Sequence, residues 1–123
     1  MAVDDERGLC PTYLAAMDVL AKPWNGLIIA TLEDGPLRFS ELSARLPAIG
    51  DRMLAARLKE LGAHGVVARD VQPGPPVRVC YTLTDVGRGF HQVADAVRRW
   101  GQMILSAQAR PVSVRAARAR RSG

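Results

Sequence analysis

The fold is decided by residues 49–61, which read IGDRMLAARLKEL. At about 100° per residue, the leucines of this stretch stack into one apolar stripe of a helix: Leu54, Leu58 and Leu61. The opposite face carries Arg52, Ala56 and Lys59. Such a helix could bury its leucines and lie in the major groove of DNA, where small side chains let the backbone approach the base edges. Alone, the segment more often indicates an ordinary amphipathic surface helix, so the flanking segments must decide.

A shorter helix is predicted just upstream. Ser40 can cap the start of this helix, and Glu41 suits the positive end of its dipole. Pro47 ends it, because the residue before a proline avoids helical dihedral angles. Gly50 then caps the cationic helix, with Asp51 in its first turn. Two helices separated by a few residues predict a helix-turn-helix.

Two β-strands are predicted downstream of Gly65, the glycine at which the cationic helix should end. They cover residues 66–71 and 77–83. In the second strand apolar and polar residues alternate, which is typical of a strand with one buried face. The connection at 72–76, QPGPP, contains three prolines and predicts a stiff, projecting hairpin tip. A helix-turn-helix followed by such a ribbon predicts a winged helix-turn-helix, an α+β fold that is mostly α with a small β-wing.

Two further helices are predicted before the helix-turn-helix. The first is amphipathic, with apolar residues at i, i+3, i+4 and i+7: Tyr13, Ala16, Met17 and Leu20. The second runs from Trp24 to Leu32 and is more apolar still. Its Leu27, Ile28 and Ile29 indicate a central, largely buried helix.

The last helix is predicted to run from a Thr84 cap to about residue 107. Its apolar residues form a heptad seam: Val86, Phe90, Val93, Val97, Trp100 and Ile104. A lone helix of this kind could equally cover its own domain, but after the wing little of that domain remains to be covered. We therefore expect a homodimer, whose two-fold axis places two recognition helices one turn of DNA apart. The expected interface combines the first and last helices: Tyr13, Met17, Phe90, Val93, Val97, Trp100 and Ile104.

Charge is distributed unevenly along the chain. The 123 residues are 48% apolar and carry a net charge of +5. Residues 110–123 hold five arginines and no acid, so the other 109 residues are neutral overall. Residues 38–59 carry five bases against two acids, as phosphate contact requires. We expect a flexible acidic N-terminus at 1–9, the winged domain with its dimerisation helices at 10–107, and a disordered basic tail at 108–123.

Nothing in the sequence predicts a membrane protein. No apolar run approaches the roughly 20 residues of a membrane-spanning helix, and the N-terminus has no signal-peptide pattern. Two cysteines in a chain with a plausible core argue against a disulfide-built secreted scaffold. We expect a cytoplasmic protein without a membrane partner.

The cationic surface indicates double-stranded DNA as the partner, bound as an inverted-repeat operator. Arg52 and Lys59 should enter the major groove, while Arg69 and Arg78 should hold phosphate or the adjacent minor groove. The full expected DNA-binding set is Arg38, Ser40, Arg52, Met53, Ala56, Arg57, Lys59, Arg69 and Arg78. The alternative is a winged-helix module that binds acidic proteins without reading a DNA sequence. The small alanines beside the cations favour DNA.

No enzymatic chemistry is indicated. His64 and His91 are the only histidines, and neither has a carboxylate or cysteine at a metal-ligand spacing. The chain also lacks a P-loop and a G-x-G-x-x-G motif. We therefore expect no catalytic site, metal or cofactor.

Cys10 and Cys80 are the two cysteines of the chain. Cys10 precedes the first helix, whose N-terminal amides and dipole can stabilise a thiolate. A redox- or electrophile-sensing role for Cys10 therefore stands beside an inert role as a small buried residue. Cys80, on a strand face expected to be partly exposed, is the second candidate sensor. A small-molecule effector bound between the dimer helices is the alternative to a thiol signal.

The chain resembles the HxlR family of winged-helix transcriptional regulators, a branch near the MarR regulators. The matching motifs are Cys10-Pro11; Trp24…Leu27-Ile28-Ile29; Asp34-Gly35-Pro36 with Arg38-Phe39-Ser40-Glu41-Leu42; Met53-Leu54…Arg57-Leu58…Leu61; Gly65-Val66-Val67…Arg69; and Arg78-Val79…Tyr81-Thr82-Leu83-Thr84…Gly87. The resemblance implies a homodimer that binds operator DNA, and we favour a repressor over an activator. It also implies that Cys10 occupies the position where redox-sensing members keep a reactive thiol.

Three positions depart from the family pattern. Lys22-Pro23-Trp24 stands where the family usually has Gly-Lys-Trp, and Pro23 suits the first turn of a helix. Gly50 stands where a serine cap is common, and Cys80 where a polar residue is commoner. In the first departure the lysine is displaced by one position, to Lys22. This puts in doubt the contact with phosphate or with the other subunit that the family's lysine makes.

Overall fold

The computed structural model describes residues 10–110, so the expected acidic segment at 1–9 and the basic residues from 111 onward lie outside the described residues. Within that range the chain forms six helices and three strands. They are α1 (Pro11–Leu20), α2 (Asn25–Leu32), β1 (Leu37–Arg38), α3 (Phe39–Arg45), α4 (Asp51–Ala63), β2 (Val67–Gln72), β3 (Arg78–Leu83), α5 (Asp85–Arg88) and α6 (Phe90–Ala109). No helix between residues 10 and 110 combines the length and apolar character needed to cross a membrane.

The three strands form one antiparallel sheet in the order β1-β3-β2. β2 and β3 are the two arms of the predicted hairpin. The sequence pattern did not predict β1, in which Leu37 pairs with Tyr81 and Arg38 pairs with Cys80. Because β3 lies between two neighbours, residues 79–82 are all half-buried and the predicted alternation along β3 is not observed.

Both ends of α4 depend on glycines with positive φ. Gly50 is the N-cap residue, with φ +76° and ψ 149°, and Gly65 follows the C-terminus with φ +74°. The amide of Gly65 donates to the carbonyl of Gly62 at 3.0 Å, and the amide of Val66 donates to the carbonyl of Leu61 at 2.9 Å. These two bonds form a Schellman motif. The predicted glycine boundaries of the cationic helix are confirmed.

The start of α3 differs from its prediction. Arg38 is the N-cap residue, and its backbone amide donates to the Glu41 carboxylate at 2.8 Å. Ser40 lies inside the first turn and is exposed, so the prediction that Ser40 caps this helix is wrong. Glu41 supplies the capping bond instead, because its side chain reaches back to the amide of the N-cap residue. The predicted stop before Pro47 is confirmed, since α3 ends at Arg45.

Thr84 caps the helix that follows the wing, as predicted. Its Oγ1 accepts a hydrogen bond from the Gly87 amide at 3.1 Å, and its hydroxyl donates to the Gly65 carbonyl at 2.6 Å. The helix is not continuous, however, because Gly89 separates α5 from α6. Glycine has a low helix propensity, which suits an interruption at this point. α6 then extends two residues beyond the expected end at 107.

Helix α2 also differs from its prediction. It begins at Asn25, after Trp24, which is the N-cap residue with φ +78°. Pro23 therefore lies before the helix rather than in its first turn. Leu27 is 52% exposed, so the prediction that it lies in the core is wrong. The buried face of α2 is formed by Ile28, Ile29 and Leu32.

The described residues fall into two compact units, one ending at His91 and the other beginning at Gln92. The first unit contains α1 to α5 and the sheet. Its core is contributed by α2, α3, α4 and the strands: Ile28, Ile29, Leu32, Leu37, Leu42, Ile49, Leu54, Leu58, Leu61, Val66, Val67 and Leu83. The second unit is the remainder of α6.

Candidate nucleic-acid interface

The helix-turn-helix consists of α3, the turn at 46–50, and α4. Leu42, Ile49 and Leu54 bring all three parts into the same core. On the polar side, the Ser43 hydroxyl donates a hydrogen bond of 2.6 Å to the Asp51 carboxylate. This bond joins α3 to the first turn of α4, so apolar and polar contacts together fix the angle between the two helices.

Helix α4 presents the predicted cationic face. Its three leucines are at most 4% exposed, which turns the opposite face outward. That face exposes Arg52, Ala56 and Lys59, and Met53 beside them is 39% exposed. Within residues 10–110, neither Arg52 nor Lys59 forms a hydrogen bond or ion pair through its side chain. Both cations are therefore available to an external anion.

Arg57 lies differently from the other cations of α4. Its Nε donates to the Pro23 carbonyl oxygen at 3.2 Å, and its Nη1 lies 3.0 and 3.1 Å from the two carboxylate oxygens of Glu60. The side chain is only 12% exposed. The guanidinium is thus engaged within the protein, and we remove Arg57 from the expected DNA contacts.

The wing carries exposed arginines at both ends. Arg69 of β2 pairs with Tyr81 of β3, whereas Arg78 opens β3 next to the hairpin tip. Arg38 and Ser40 are exposed where β1 passes into α3. The structure therefore places the remaining cations of the expected set on the surface of the same unit.

A cleft of about 270 Å³ lies between α4 and the wing. Residues from both elements line it: Ala55, Leu58, Lys59, Gly62, Val67, Arg69 and Tyr81. None of these residues is acidic. The cleft thus combines an apolar lining with two cations, Lys59 from the helix and Arg69 from the strand.

Cys10 is the half-buried N-cap residue of α1. Its Sγ lies 3.0 Å from the Thr12 hydroxyl oxygen. The Thr12 hydroxyl, and next the backbone amide of Tyr13, lower the pKa of the Cys10 thiol because hydrogen bonds to sulfur stabilise the thiolate. Cys10 therefore holds more reactive thiolate at neutral pH than an ordinary cysteine does.

Cys80 occupies the middle strand of the sheet. It is half-buried and lies opposite Arg38 of β1 and Asp70 of β2. Both cysteines are free thiols, and they lie on different elements of the first unit.

In the unit formed by residues 92–110, α6 carries an exposed apolar face. Its side chains are between 38% and 65% exposed: Val93, Val97, Trp100 and Ile104. Phe90, expected to belong to this face, is half-buried and packs against the core of the first unit. On α1, Tyr13 is 62% exposed and Met17 is half-buried.

The sequence pattern of the HxlR-like helix-turn-helix family matches residues 19–109, about three-quarters of the chain. The chain belongs to this family. The HxlR-like protein is 46% identical over 96 residues to the HTH-type transcriptional regulator YodB of Bacillus subtilis (strain 168), covering 78% of this chain and 86% of YodB. It is a helix-turn-helix transcriptional regulator, and its family is one of regulators rather than enzymes.

Solved structures of two relatives share the fold. Reduced YodB from B. subtilis matches with a TM-score of 0.71 and 46% identity, covering 75% of this chain and 90% of that one. Quinone-bound YodB matches with a TM-score of 0.68 and 41% identity, over 77% and 99%. The redox regulator HypR in its oxidized form gives a TM-score of 0.68 and 35% identity, over 76% and 96%. These matches confirm the winged helix-turn-helix of the HxlR-like regulator.

Sequence reasoning missed three contacts in this HxlR-like regulator. The Thr12 hydroxyl lies only two residues from Cys10, so closeness along the chain was the one available signal for this contact. The bonds made by Ser43 and Arg57 reach across 8 and 34 residues. Spacing along the chain gives no sign of such partners.

Proposed function

We propose that this HxlR-like regulator is a homodimeric repressor that binds an inverted-repeat operator and is released when an electrophile or oxidant acts on Cys10. The observation that carries the DNA-binding part is the outward face of α4. Arg52 and Lys59 are exposed and unpaired among the described residues, and small alanines lie between them. A helix with this face can approach base edges closely while its cations bond to them.

The wing and the cleft support a specific docking. With α4 in the major groove and the hairpin tip at the adjacent minor groove, the DNA strand between those grooves crosses the cleft. Arg69 then holds the phosphates of that strand from the wing side of the cleft, while Lys59, on the α4 side, contacts the base edges. Arg78 lies nearer the tip, while Arg38 and Ser40 are exposed at the start of α3, where they can contact flanking phosphates.

The exposed apolar face of α6 supports the dimer. Val93, Val97, Trp100 and Ile104 repeat on one side of the helix and are 38–65% exposed. A contiguous apolar face of this kind marks an interaction surface, and a second copy offers the same face in an isologous contact. Trp100 is the expected anchor because large aromatic side chains carry much of the energy of an interface. Tyr13 and Met17 of α1 are expected as further contacts.

The thiol of Cys10 supports the sensing part. Its lowered pKa favours the nucleophilic thiolate, and a structure of the relative YodB is described as quinone-bound. The Cys10 thiolate would attack a ring carbon conjugated to a quinone carbonyl, forming a carbon–sulfur bond while the electron pair moves to the carbonyl oxygen. Proton uptake and tautomerisation then give the hydroquinone thioether, with no further oxidant needed.

A mobility-shift experiment tests the proposal. The probe is a duplex that the wild-type protein selects from a random-sequence pool, with and without 1,4-benzoquinone. Wild type should bind the duplex and lose it on treatment. Cys10→Ser should bind but not respond, and the matched variant Cys80→Ser should behave as wild type.

The other outcomes each point to a named alternative. If all three proteins respond alike, neither thiol is the sensor and a non-covalent small-molecule effector takes its place. If no sequence is enriched from the pool, sequence-specific binding is wrong and the protein-interaction module is favoured.

A further inference from the structure

Arg57 joins α4, the proposed DNA-reading helix, to the segment at 21–24 that connects α1 with α2 and is called the corner below. Its Nε donates to the carbonyl of Pro23 at 3.2 Å, across 34 residues of chain. The same guanidinium pairs with Glu60 one turn further along α4, which orients its planar group. With 12% exposure, the side chain is largely shielded from solvent.

The corner that accepts this bond is held firmly from the other side. Asn25 is fully buried, and its Nδ2 donates to the Val19 carbonyl at 2.8 Å, near the end of α1. Trp24, between Pro23 and Asn25, packs against the core with φ +78°. The pyrrolidine ring also fixes φ at Pro23, which removes one backbone degree of freedom from the corner.

Helix α1 itself is only lightly attached. None of its ten residues is buried, and among them only Val19, next to the corner, packs against the core. Cys10 lies at the opposite end of the helix. Within one subunit, a displacement that begins at Cys10 therefore meets little resistance along α1 until it reaches the corner.

We propose that Arg57 is a positioning residue that couples α1 to α4. A shift of α1 moves the corner, the Pro23 carbonyl moves with it, and the bound guanidinium turns α4 relative to the DNA. This inference rests on the proposed function, since it explains how chemistry at Cys10 reaches the DNA-reading helix. It assigns Arg57 no contact with DNA.

Arginine is suited to this role for a geometric reason. The bonds to Pro23 and Glu60 use the Nε and Nη1 atoms of one rigid plane. A lysine ammonium keeps the charge but lacks the planar group that donates to the Pro23 carbonyl and the Glu60 carboxylate together. Arg57→Lys should therefore uncouple the helices while leaving the charge of α4 unchanged.

The test uses the full-length protein with Cys80→Ser, so that Cys10 is the single thiol. Operator affinity is measured on the pool-selected duplex across a salt series, before and after alkylation with N-ethylmaleimide. The variants are Arg57→Gln, Arg57→Lys and Glu60→Gln. The matched control is Arg98→Gln, because Arg98 also pairs with an acid three residues away, Asp95, but on α6. Thermal unfolding confirms that each variant is folded. If Arg57→Gln does not fold, the result for Arg57→Lys decides the test.

The proposal expects two results together. The effect of alkylation on affinity falls by about fivefold or more in both Arg57 variants and less in Glu60→Gln, with Arg98→Gln unchanged. The slope of log affinity against log salt stays at the wild-type value. A slope reduced by about 0.9 would overturn the proposal, because that is the loss of one phosphate contact.

An undiminished alkylation effect in both Arg57 variants would also overturn it. If the Cys80→Ser parent protein binds DNA but ignores alkylation, sensing at Cys10 fails instead. The affinities for the selected duplex before alkylation then decide whether Arg57 positions α4. Equal affinities for Arg57→Gln and Arg98→Gln would exclude that role.

Discussion

A Cβ atom on Gly87 would stand 2.2 Å from the carbonyl oxygen of Val66. Gly87 is buried in α5, and Val66 immediately follows the glycine that ends α4. The helix after the wing therefore lies against the backbone at the junction of α4 and β2, closer than any side chain allows. The packing is possible because residue 87 is a glycine, which has a hydrogen where other residues have Cβ.

Gly87→Ala should consequently destabilise the protein. The neighbour is backbone and cannot rotate away, so we expect a loss of about 1–3 kcal/mol, typical of overpacking, in the free energy of unfolding measured by denaturant titration. The matched control is Gly62→Ala in α4, where the nearest atom is also a backbone carbonyl but lies 3.7 Å away. That variant should be unchanged or slightly more stable, because alanine favours a helix. Equal stability of the two variants would contradict the predicted packing.

The double variant Arg52→Ala, Lys59→Ala should lose specific DNA binding. Each lost base contact should cost about 1–3 kcal/mol, so affinity for the selected duplex should approach that for random DNA. Fluorescence anisotropy with both duplexes measures the difference. The double variant Arg98→Ala, Arg99→Ala, which removes two cations from α6, serves as the control for net charge. Unchanged discrimination in the double variant would remove α4 from the readout.

Arg78→Ala should weaken binding to every sequence by a similar factor. Arg78 begins β3 beside the hairpin tip, where we expect phosphate contact rather than base readout. The slope of log affinity against log salt should decrease by about 0.9. Arg88→Ala provides the comparison, because Arg88 is paired with Asp85 at 2.7 Å. A lower affinity with an unaltered slope in Arg78→Ala would count against phosphate contact.

Trp100→Glu should convert dimers to monomers. The indole is 65% exposed in the described chain, and a carboxylate in its place could not be buried against a second copy. Light scattering at micromolar concentration measures the mass. Gln102→Glu adds the same charge on the opposite side of α6 and should remain dimeric. A monomeric wild type at that concentration would refute the α6 interface.

Thr12→Val should slow alkylation of Cys10 at neutral pH. The Thr12 hydroxyl is the largest cause of the lowered pKa, so its removal raises the pKa toward the ordinary value and shifts the rise in rate to higher pH. Iodoacetamide kinetics from pH 5 to 10 in the Cys80→Ser background provide the profile. Thr12→Ser, which keeps a hydroxyl, should restore the wild-type curve. Identical profiles for all three would mean that the hydrogen bond does not control the thiol.

Local signals predicted most of the fold. Gly65 and Thr84 were assigned correctly because each terminates or caps a helix through bonds to residues a few positions away. β1 was missed because two residues are too few to show a periodicity, and the strand exists through its pairing with β3. The exposure of Leu27 depends on which face of α2 the rest of the core covers.

The candidate site was predicted less completely than the fold. Exposure of Arg52 and Lys59 follows from helix periodicity, since the leucines fix the buried side. The direction of Arg57 does not, because its guanidinium is drawn to a carbonyl at a distant corner of the chain. The position of the Arg57 guanidinium therefore depends on contacts with residues that are distant in the sequence, which helix periodicity does not show.

The backbone at Gly50 limits how this chain can vary by mutation. Its φ of +76° with ψ of 149° belongs to a region that glycine alone populates readily, although nothing lies within 4 Å of a Cβ at this position. The restriction comes from the dihedral angles of the residue itself, not from its neighbours. A second substitution elsewhere therefore has no clash to relieve, and the usual route of compensation is closed. A return to the serine that is common at this position in the family would therefore require the turn at 46–50 to adopt a different backbone conformation first.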